Sequence, residues 1–309
     1  MRFYHKNCYI ELLSIISNLL HPMPLSATMP HMGSPRMVFT DLDGTLFQKE
    51  QRISARNLET LTRLGGRGIL RVIATGRNLH SLDKVIPRGF PVDYAIFSSG
   101  AGVMEWRTRS LIRAVSMGAS DVRDAFAVHT AEDLDFMIHW PVPDNHRLIA
   151  FPTGRSNADF ARRESVYRDF AVTGNRNTVP AMEASQFVAM EPRDGAVETL
   201  ERVRRALPGL SVIRATSPFG SGMLWIEVFA SGVSKSKAAA WLASRCGVER
   251  ARTLAVGNDH NDEDLLRWAA SSYVVSACPA ELASSFPQAS SGDESDFAEA
   301  VRAWELTER

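Results

Sequence analysis

Two aspartates, Asp41 and Asp43, stand two residues apart in the turn Asp41-Leu42-Asp43-Gly44-Thr45, directly after the apolar run Met37-Val38-Phe39-Thr40. At the end of a buried strand that spacing lets both carboxylates lie on one side of the chain. Neighbouring carboxylates repel unless a proton or a cation lies between them. A hard divalent ion with oxygen ligands, such as Mg2+, relieves the repulsion; the ordinary alternative is a solvated acidic turn. Thr75, in Thr75-Gly76-Arg77, offers a hydroxyl and a backbone N–H to an anion. Lys235 opens a helix, where its ammonium and the helix N-terminus both favour an anion. Asn258, Asp259, Asn261 and Asp262 crowd a further turn and form a second cluster of oxygen ligands. Taken singly these are a turn threonine, a solvated lysine and an acidic helix cap. Together they combine anion-binding with cation-binding groups and point to magnesium-assisted phosphoryl chemistry.

The elements that must hold these groups share one register. Strand-like runs at 37–40, 69–74 and 94–97 end at Asp41, Thr75 and Ser98-Ser99-Gly100, respectively. Between the first two, Ser54 caps a helix carrying Leu58, Leu61 and Leu64 on one face, closed by Gly65-Gly66. Alternating strands and helices predict a parallel sheet, and in such sheets ligands sit at the carboxyl ends of the strands. The alternation returns with a strand at 224–229, a helix from the cap Ser234 to Cys246, and strands at 253–256 and 273–275. The middle reads differently, with short strands at 136–138 and 187–190 and a helical stretch at 194–206. The expectation is an α/β chain: a Rossmann-like parallel-sheet core over 36–102 and 218–309, with an inserted α+β cap over 103–217.

Composition narrows the class. The 309 residues are 45% hydrophobic, with 35 Lys+Arg against 35 Asp+Glu. A net charge of zero removes the bulk attraction that nucleic-acid or acidic-membrane binders rely on. Cys8, Cys246 and Cys278 are odd in number and far apart, which suits neither a disulfide framework nor a CxxC metal site. A reducing, cytoplasmic setting follows. The apolar stretch 8–20 follows Arg2, His5 and Lys6 in the manner of a signal peptide, but Glu11 interrupts it. The Pro/Met-rich segment after it has no clean cleavage site, and the stretch is too short to span a bilayer. Residues 1–35 are therefore expected to be a weakly ordered extension.

Four motifs, in order, resemble those of the haloacid dehalogenase-like hydrolases. Asp41-Leu42-Asp43-Gly44-Thr45-Leu46 resembles the DxDGT(L/V) motif, Ala74-Thr75-Gly76-Arg77 the ATGR motif, Ser234-Lys235 the lysine motif, and Gly257-Asn258-Asp259-His260-Asn261-Asp262 the GDxxND motif. The long insert between the second and third resembles the Cof-type, C2-capped IIB branch, which includes sugar-phosphate phosphatases. The resemblance implies that Asp41 is a nucleophile and Asp43 a general acid and base. It further implies that Thr75, Gly76, Lys235 and Asn261 hold a phosphoryl group, and that Mg2+ is held by Asp41, Asp43, Asn258 and Asp262. The substrate it implies is a small phosphorylated metabolite, probed by cap residues such as His139, Asp144, Asn145, His146, Arg147 and Arg193, with Trp225 and Met190 as packing residues. The alternatives are a phosphomutase of the same branch and a catalytically weak phosphate-binding regulatory protein. Three departures stand out: Asn258 replaces the usual aspartate, Ser236 the usual glycine, and Ser99-Gly100-Ala101 the usual Asn-Gly-Ala.

Overall fold

The computed structural model describes residues 35–47, 52–191 and 195–307. The expected N-terminal extension lies outside these residues apart from Pro35, and so does Arg193. The strands, in chain order, are β1 (Met37–Thr40), β2 (Leu70–Ala74), β3 (Tyr94–Phe97), β4 (Gly102–Glu105), β5 (Ser110–Ala114), β6 (Phe136–His139), β7 (Leu148–Phe151), β8 (Ala171–Thr173), β9 (Gln186–Glu191), β10 (Ser211–Thr216), β11 (Leu224–Phe229), β12 (Thr253–Gly257), β13 (Ser271–Val275) and β14 (Gln288–Ala289). They form two sheets. The first runs β14-β13-β12-β1-β2-β3-β4-β5, parallel from β14 to β3 and antiparallel beyond; the second runs β10-β11-β9-β6-β7-β8.

The exchange between sheets differs from the expected boundaries. Strands β4 and β5 extend the first sheet to Ala114, whereas β11, expected in the parallel core, lies in the second sheet between β9 and β10. The physical reason is plain in the burial. Every residue of β11 is buried, as in a core parallel strand, so apolar content alone does not say which sheet receives it. Strand β4 follows β3 through a tight turn at Ser98–Gly100 and pairs with it as a hairpin.

Local sequence explains the elements that flank the strand ends. The Ser54 side chain accepts from Asn57 N and starts the helix Ala55–Gly66, which buries Leu58, Leu61 and Leu64. Ser234 does the same for Lys237 N at the start of Lys235–Arg245, which buries Ala238, Ala239, Leu242 and Ala243. Side chains of β1 alternate between two layers. Val38 packs with Leu61, Leu64 and Trp304, while Met37 and Phe39 pack with Val72, Leu242 and Leu265. Each such side chain contributes about 1.5–3 kcal/mol by leaving water.

The second sheet has an aromatic interior. Phe136 and Phe151 stack at 4.9 Å between ring centroids, and Phe126 meets Phe151 edge-on at 5.2 Å. His129 lies among them, 5.2 Å from Phe136 and 5.1 Å from Phe187, with Nδ1 on the Ala125 carbonyl at 2.7 Å. Burial pushes His129 down to about 4 and His139, at the end of β6, down to about 3. Both are neutral in the fold at every pH where an unfolded histidine, near 6.5, takes up a proton. Their contribution to stability is therefore complete above about pH 6.5 and declines as pH falls below it. Lowering pH from 7 to 5 is expected to cost about 2 kcal/mol for each histidine. Urea unfolding of the wild type and His129→Leu at both pH values checks this: the variant should lose less stability than the parent, and equal losses would contradict the assignment.

Candidate active site

The parallel register brings three of the polar turns to one edge. Thr40 pairs with Ile73 on one side and Val256 on the other, so Asp41, the Ala74-Thr75 turn and Gly257-Asn258 emerge side by side. Asp41 N donates to Val256 O at 2.9 Å, and Thr75 N to Ile96 O at 2.9 Å, which fixes both turns to their neighbours. Lys235 comes from the far side, at the first position of its helix. Its approach depends on Gly100, at φ +106, where an added Cβ would lie 2.4 Å from Ser234 O.

Lys235 organises the centre. It is 1% exposed, and its Nζ donates to Asp41 Oδ1 at 2.8 Å, Asp262 Oδ1 at 2.5 Å and Asn261 Oδ1 at 3.4 Å. Burial opposes its charge, but Asp262 and Asp41 outweigh that effect and hold its pKa above the ordinary value. Asp41 is pushed up to about 8, first by burial and then by the Asp262 charge, with Lys235 acting in the opposite direction. Two buried carboxylates thus face one buried ammonium, and the arrangement favours a further positive charge.

The turn after β12 serves Lys235 from below. Asp262 is fully buried, and its Oδ2 accepts from Asn258 N at 2.9 Å and Asp259 N at 3.1 Å. An added Cβ at Gly257 would lie 2.6 Å from Asp262 Cβ, so the residue preceding Asn258 must be this small. Asp262 thus holds both the turn and the lysine. Asn258 Oδ1 accepts from Thr45 Oγ1 at 3.1 Å. Its side chain also crosses Gly44, at φ +82, where a Cβ would lie 2.4 Å from Asn258 Nδ2.

A metal fits this donor set on chemical grounds. Asp41, the Asp43 main-chain carbonyl and the Asn258 amide are hard oxygen donors, and Mg2+ needs only one or two carboxylates besides water and substrate phosphate. Among the described residues no group of three or more His, Cys, Asp or Glu side chains converges as a metal site.

The remaining expected residues divide. Asp43 turns to Arg77, which donates from Nε to Oδ2 at 2.6 Å and from Nη2 to Oδ1 at 2.7 Å. Gly76 borders Asn261: its Cβ position lies 3.7 Å from Asn261 Nδ2 and 3.6 Å from Ser99 Oγ. Asp259 faces away and accepts from Thr216 N and Oγ1 at the end of β10. Of the cap candidates, Asp144 and Arg147 are exposed, and Arg147 lies over the Trp140 ring. His139 and Asn145 are buried where the two sheets meet, and His146 stacks on His80 at 4.8 Å. Trp225 and Met190 pack in the interior of the second sheet, as expected. Sequence reasoning missed the Arg77–Asp43 pair and also Glu227, a charge inside the otherwise apolar β11. That interruption was the available signal.

A family description of haloacid dehalogenase-like hydrolases matches residues 38–286. The chain belongs to that family. Among its relatives, the 5-amino-6-(5-phospho-D-ribitylamino)uracil phosphatase YitU of Bacillus subtilis (strain 168) is 26% identical over 250 residues, covering 76% of this chain and 84% of the relative. The HMP-PP phosphatase of Serratia proteamaculans (strain 568) is 23% identical over 265 residues, covering 82% and 88%. The solved HAD subclass IIB sugar phosphatase BT4131 has the same fold, with a TM-score of 0.69 at 19% identity over 88% of this chain and 99% of that one. This chain is a haloacid dehalogenase-like hydrolase with the fold of the solved subclass IIB protein.

Removing the central charge tests the ion cluster. Lys235→Met leaves Asp41 and Asp262 buried without their ammonium and is expected to cost about 3–5 kcal/mol. Urea unfolding at neutral pH reads this directly; a variant as stable as the parent would show that the cluster does not hold the turns.

Proposed function

We propose that this haloacid dehalogenase-like protein hydrolyses a small phosphomonoester, of the sugar-phosphate kind, through an aspartyl-phosphate and with Mg2+. The observation that carries the reading is the buried Asp41 carboxylate held by the buried Lys235 ammonium at the end of the central strand. Lys235 fixes one oxygen of Asp41, leaving the other to attack phosphorus. The P–O bond to the alcohol breaks as that oxygen takes a proton from Asp43, and the phosphoryl group remains on Asp41. Asp43, now ionised, accepts a proton from water, whose oxygen displaces Asp41 and releases phosphate. Arg77 holds both Asp43 oxygens, and the half-exposed carboxylate of Asp43 must leave that pair to meet the leaving oxygen. Thr75, the Gly76 backbone, Asn261 and Lys235 would receive the phosphoryl oxygens, a fixed polar field of the kind that supplies most of the rate in phosphoryl transfer.

The metal would be held by Asp41, the Asp43 main chain and Asn258. When bound, it offsets the charge on the transferring group. The relatives are named for small phosphorylated metabolites, which supports the same class here. No helix among the described residues is long and apolar enough to cross a membrane. The cytoplasmic setting stays part of the proposal, resting on cysteine usage.

Phosphate release from a panel of sugar, polyol and nucleotide phosphates tests the reading. Turnover should need Mg2+, stop with EDTA, and fall at least ~1,000-fold in Asp41→Asn, a loss of about 4 kcal/mol in barrier lowering. Conversion of a sugar 1-phosphate to its 6-phosphate without phosphate release would identify a mutase instead. For the metal, Asn258→Asp adds a charged oxygen ligand and should tighten Mg2+ binding at least ~10-fold by calorimetry.

A further inference from the structure

Glu227 interrupts an apolar strand, is 6% exposed, and reaches from the second sheet to the first, where Ser99 Oγ donates to its Oε2 at 3.2 Å. Among the described residues no other hydrogen bond reaches this carboxylate. Ser99 follows Ser98, and both adopt positive φ (53° and 49°), which ordinary residues avoid. The strained turn aims both hydroxyls at the cap. Ser98 Oγ accepts from Asn145 Nδ2 at 2.7 Å, and the Asn145 carbonyl accepts from His139 Nδ1 at 2.7 Å. His139 Nε2 accepts from Arg163 Nη2 at 3.2 Å. Arg163 is in turn the opposite charge that acts most strongly on Glu227.

The hydrogen bonds therefore trace an open circuit: Glu227 to Ser99, then from the adjacent Ser98 through Asn145 and His139 to Arg163, which makes no ion-pair contact with Glu227. Two of its atoms, Asn145 Oδ1 and Arg163 Nε, are buried without a hydrogen-bond partner. Such groups cost about 1–3 kcal/mol each unless a ligand completes them. Arg163 is fixed in place, lying over Trp225 at 4.8 Å and Tyr167 at 5.2 Å. The circuit also borders the phosphate end of the site, since Ser99 Oγ lies 3.6 Å from the Cβ position of Gly76.

We propose that Glu227, Arg163 and Asn145 are specificity-determining residues that bind adjacent hydroxyl groups of the leaving alcohol, so that the preferred substrate is the phosphate ester of an otherwise uncharged polyol or sugar. The inference rests on the phosphatase reading for the phosphate end and extends it to the alcohol end. One carboxylate and one guanidinium sum to zero, so neither a second phosphate nor an ammonium group finds a net countercharge. Carboxylate and amide acceptors stand beside guanidinium donors, and a hydroxyl, which both donates and accepts, pairs with either. Arg163 already covers one face of Trp225 and one of Tyr167, so those faces are closed to a flat base. A site whose buried polar groups need hydroxyl partners discriminates strongly against an analogue that lacks them.

The test uses two esters of equal chain length, glucitol 6-phosphate and n-hexyl phosphate, titrated calorimetrically into Asp41→Asn, which binds without turnover. The polyol ester should bind at least ~10-fold more tightly. Adding Glu227→Gln, which keeps an acceptor for Ser99, or Arg163→Met, which keeps the stem on Trp225, should each shrink that advantage to ~3-fold or less. Equal affinity for the two esters in the parent, or an advantage that survives both substitutions, would overturn the proposal. Wild-type turnover is read separately: a preference that depends on Glu227 and Arg163 supports the proposal even where no hydrolysis occurs, and that pattern counts against the phosphatase reading alone.

Discussion

A lysine ammonium sealed from water survives only where carboxylates surround it, and Lys235, with Asp41 on one side and Asp262 on the other, is the constraint on which the architecture turns. Each partner comes from a different part of the chain, so the cluster forms only when β1, β12 and the helix after β11 are all in place. Gly257 lets Asp262 fold back beneath the turn, and Gly100 lets the start of the lysine helix approach the end of β3. These are packing requirements imposed by an electrostatic one. The excess of buried negative charge that remains favours a further positive charge beside Asp41.

The placement of the polar residues was legible in the sequence because they lie in turns that follow strands. Strand-end motifs place polar residues where the parallel register must bring them together, and Asp41, Thr75, Lys235 and Asn261 occupy that edge. The division of Asp262 from Asn258 was not legible. Both are oxygen-bearing residues of one turn, and only the fold shows that Asp262 is occupied by Lys235 and two backbone N–H groups. The assignment of β11 failed for a related reason. Complete burial looks the same in a parallel core strand and in an interior strand of a second sheet, and hydrogen-bonding partners distinguish them where composition does not. Glu227 carried a signal that periodicity discards, a single charge in an apolar strand, whose meaning depends on Ser99, 128 positions away.

Polar contacts join the two sheets beside an apolar cluster that includes residues of both. Asn78 Nδ2 donates to Tyr167 Oη at 3.0 Å, Asn145 reaches Ser98, and Glu227 accepts from Ser99. Such contacts exchange readily with water and with hydroxylated ligands, unlike buried hydrocarbon.

The turn after β12 faces two ways. Asp262 points inward to the lysine, while Asp259, three residues earlier, grips Thr216 at the end of β10. One six-residue loop therefore carries both a strut of the reaction centre and a fastening of the cap. During divergence of such proteins, a lineage that altered how its cap sits would have to do so through a loop whose other members are already committed. Change is freer at the opposite crossing, where the bridge between Met117 and Ala184 joins backbone to backbone and ties no side chain of the centre. New specificities in this scaffold are thus expected to accumulate from that side inward, with the Asp259 fastening the last to move.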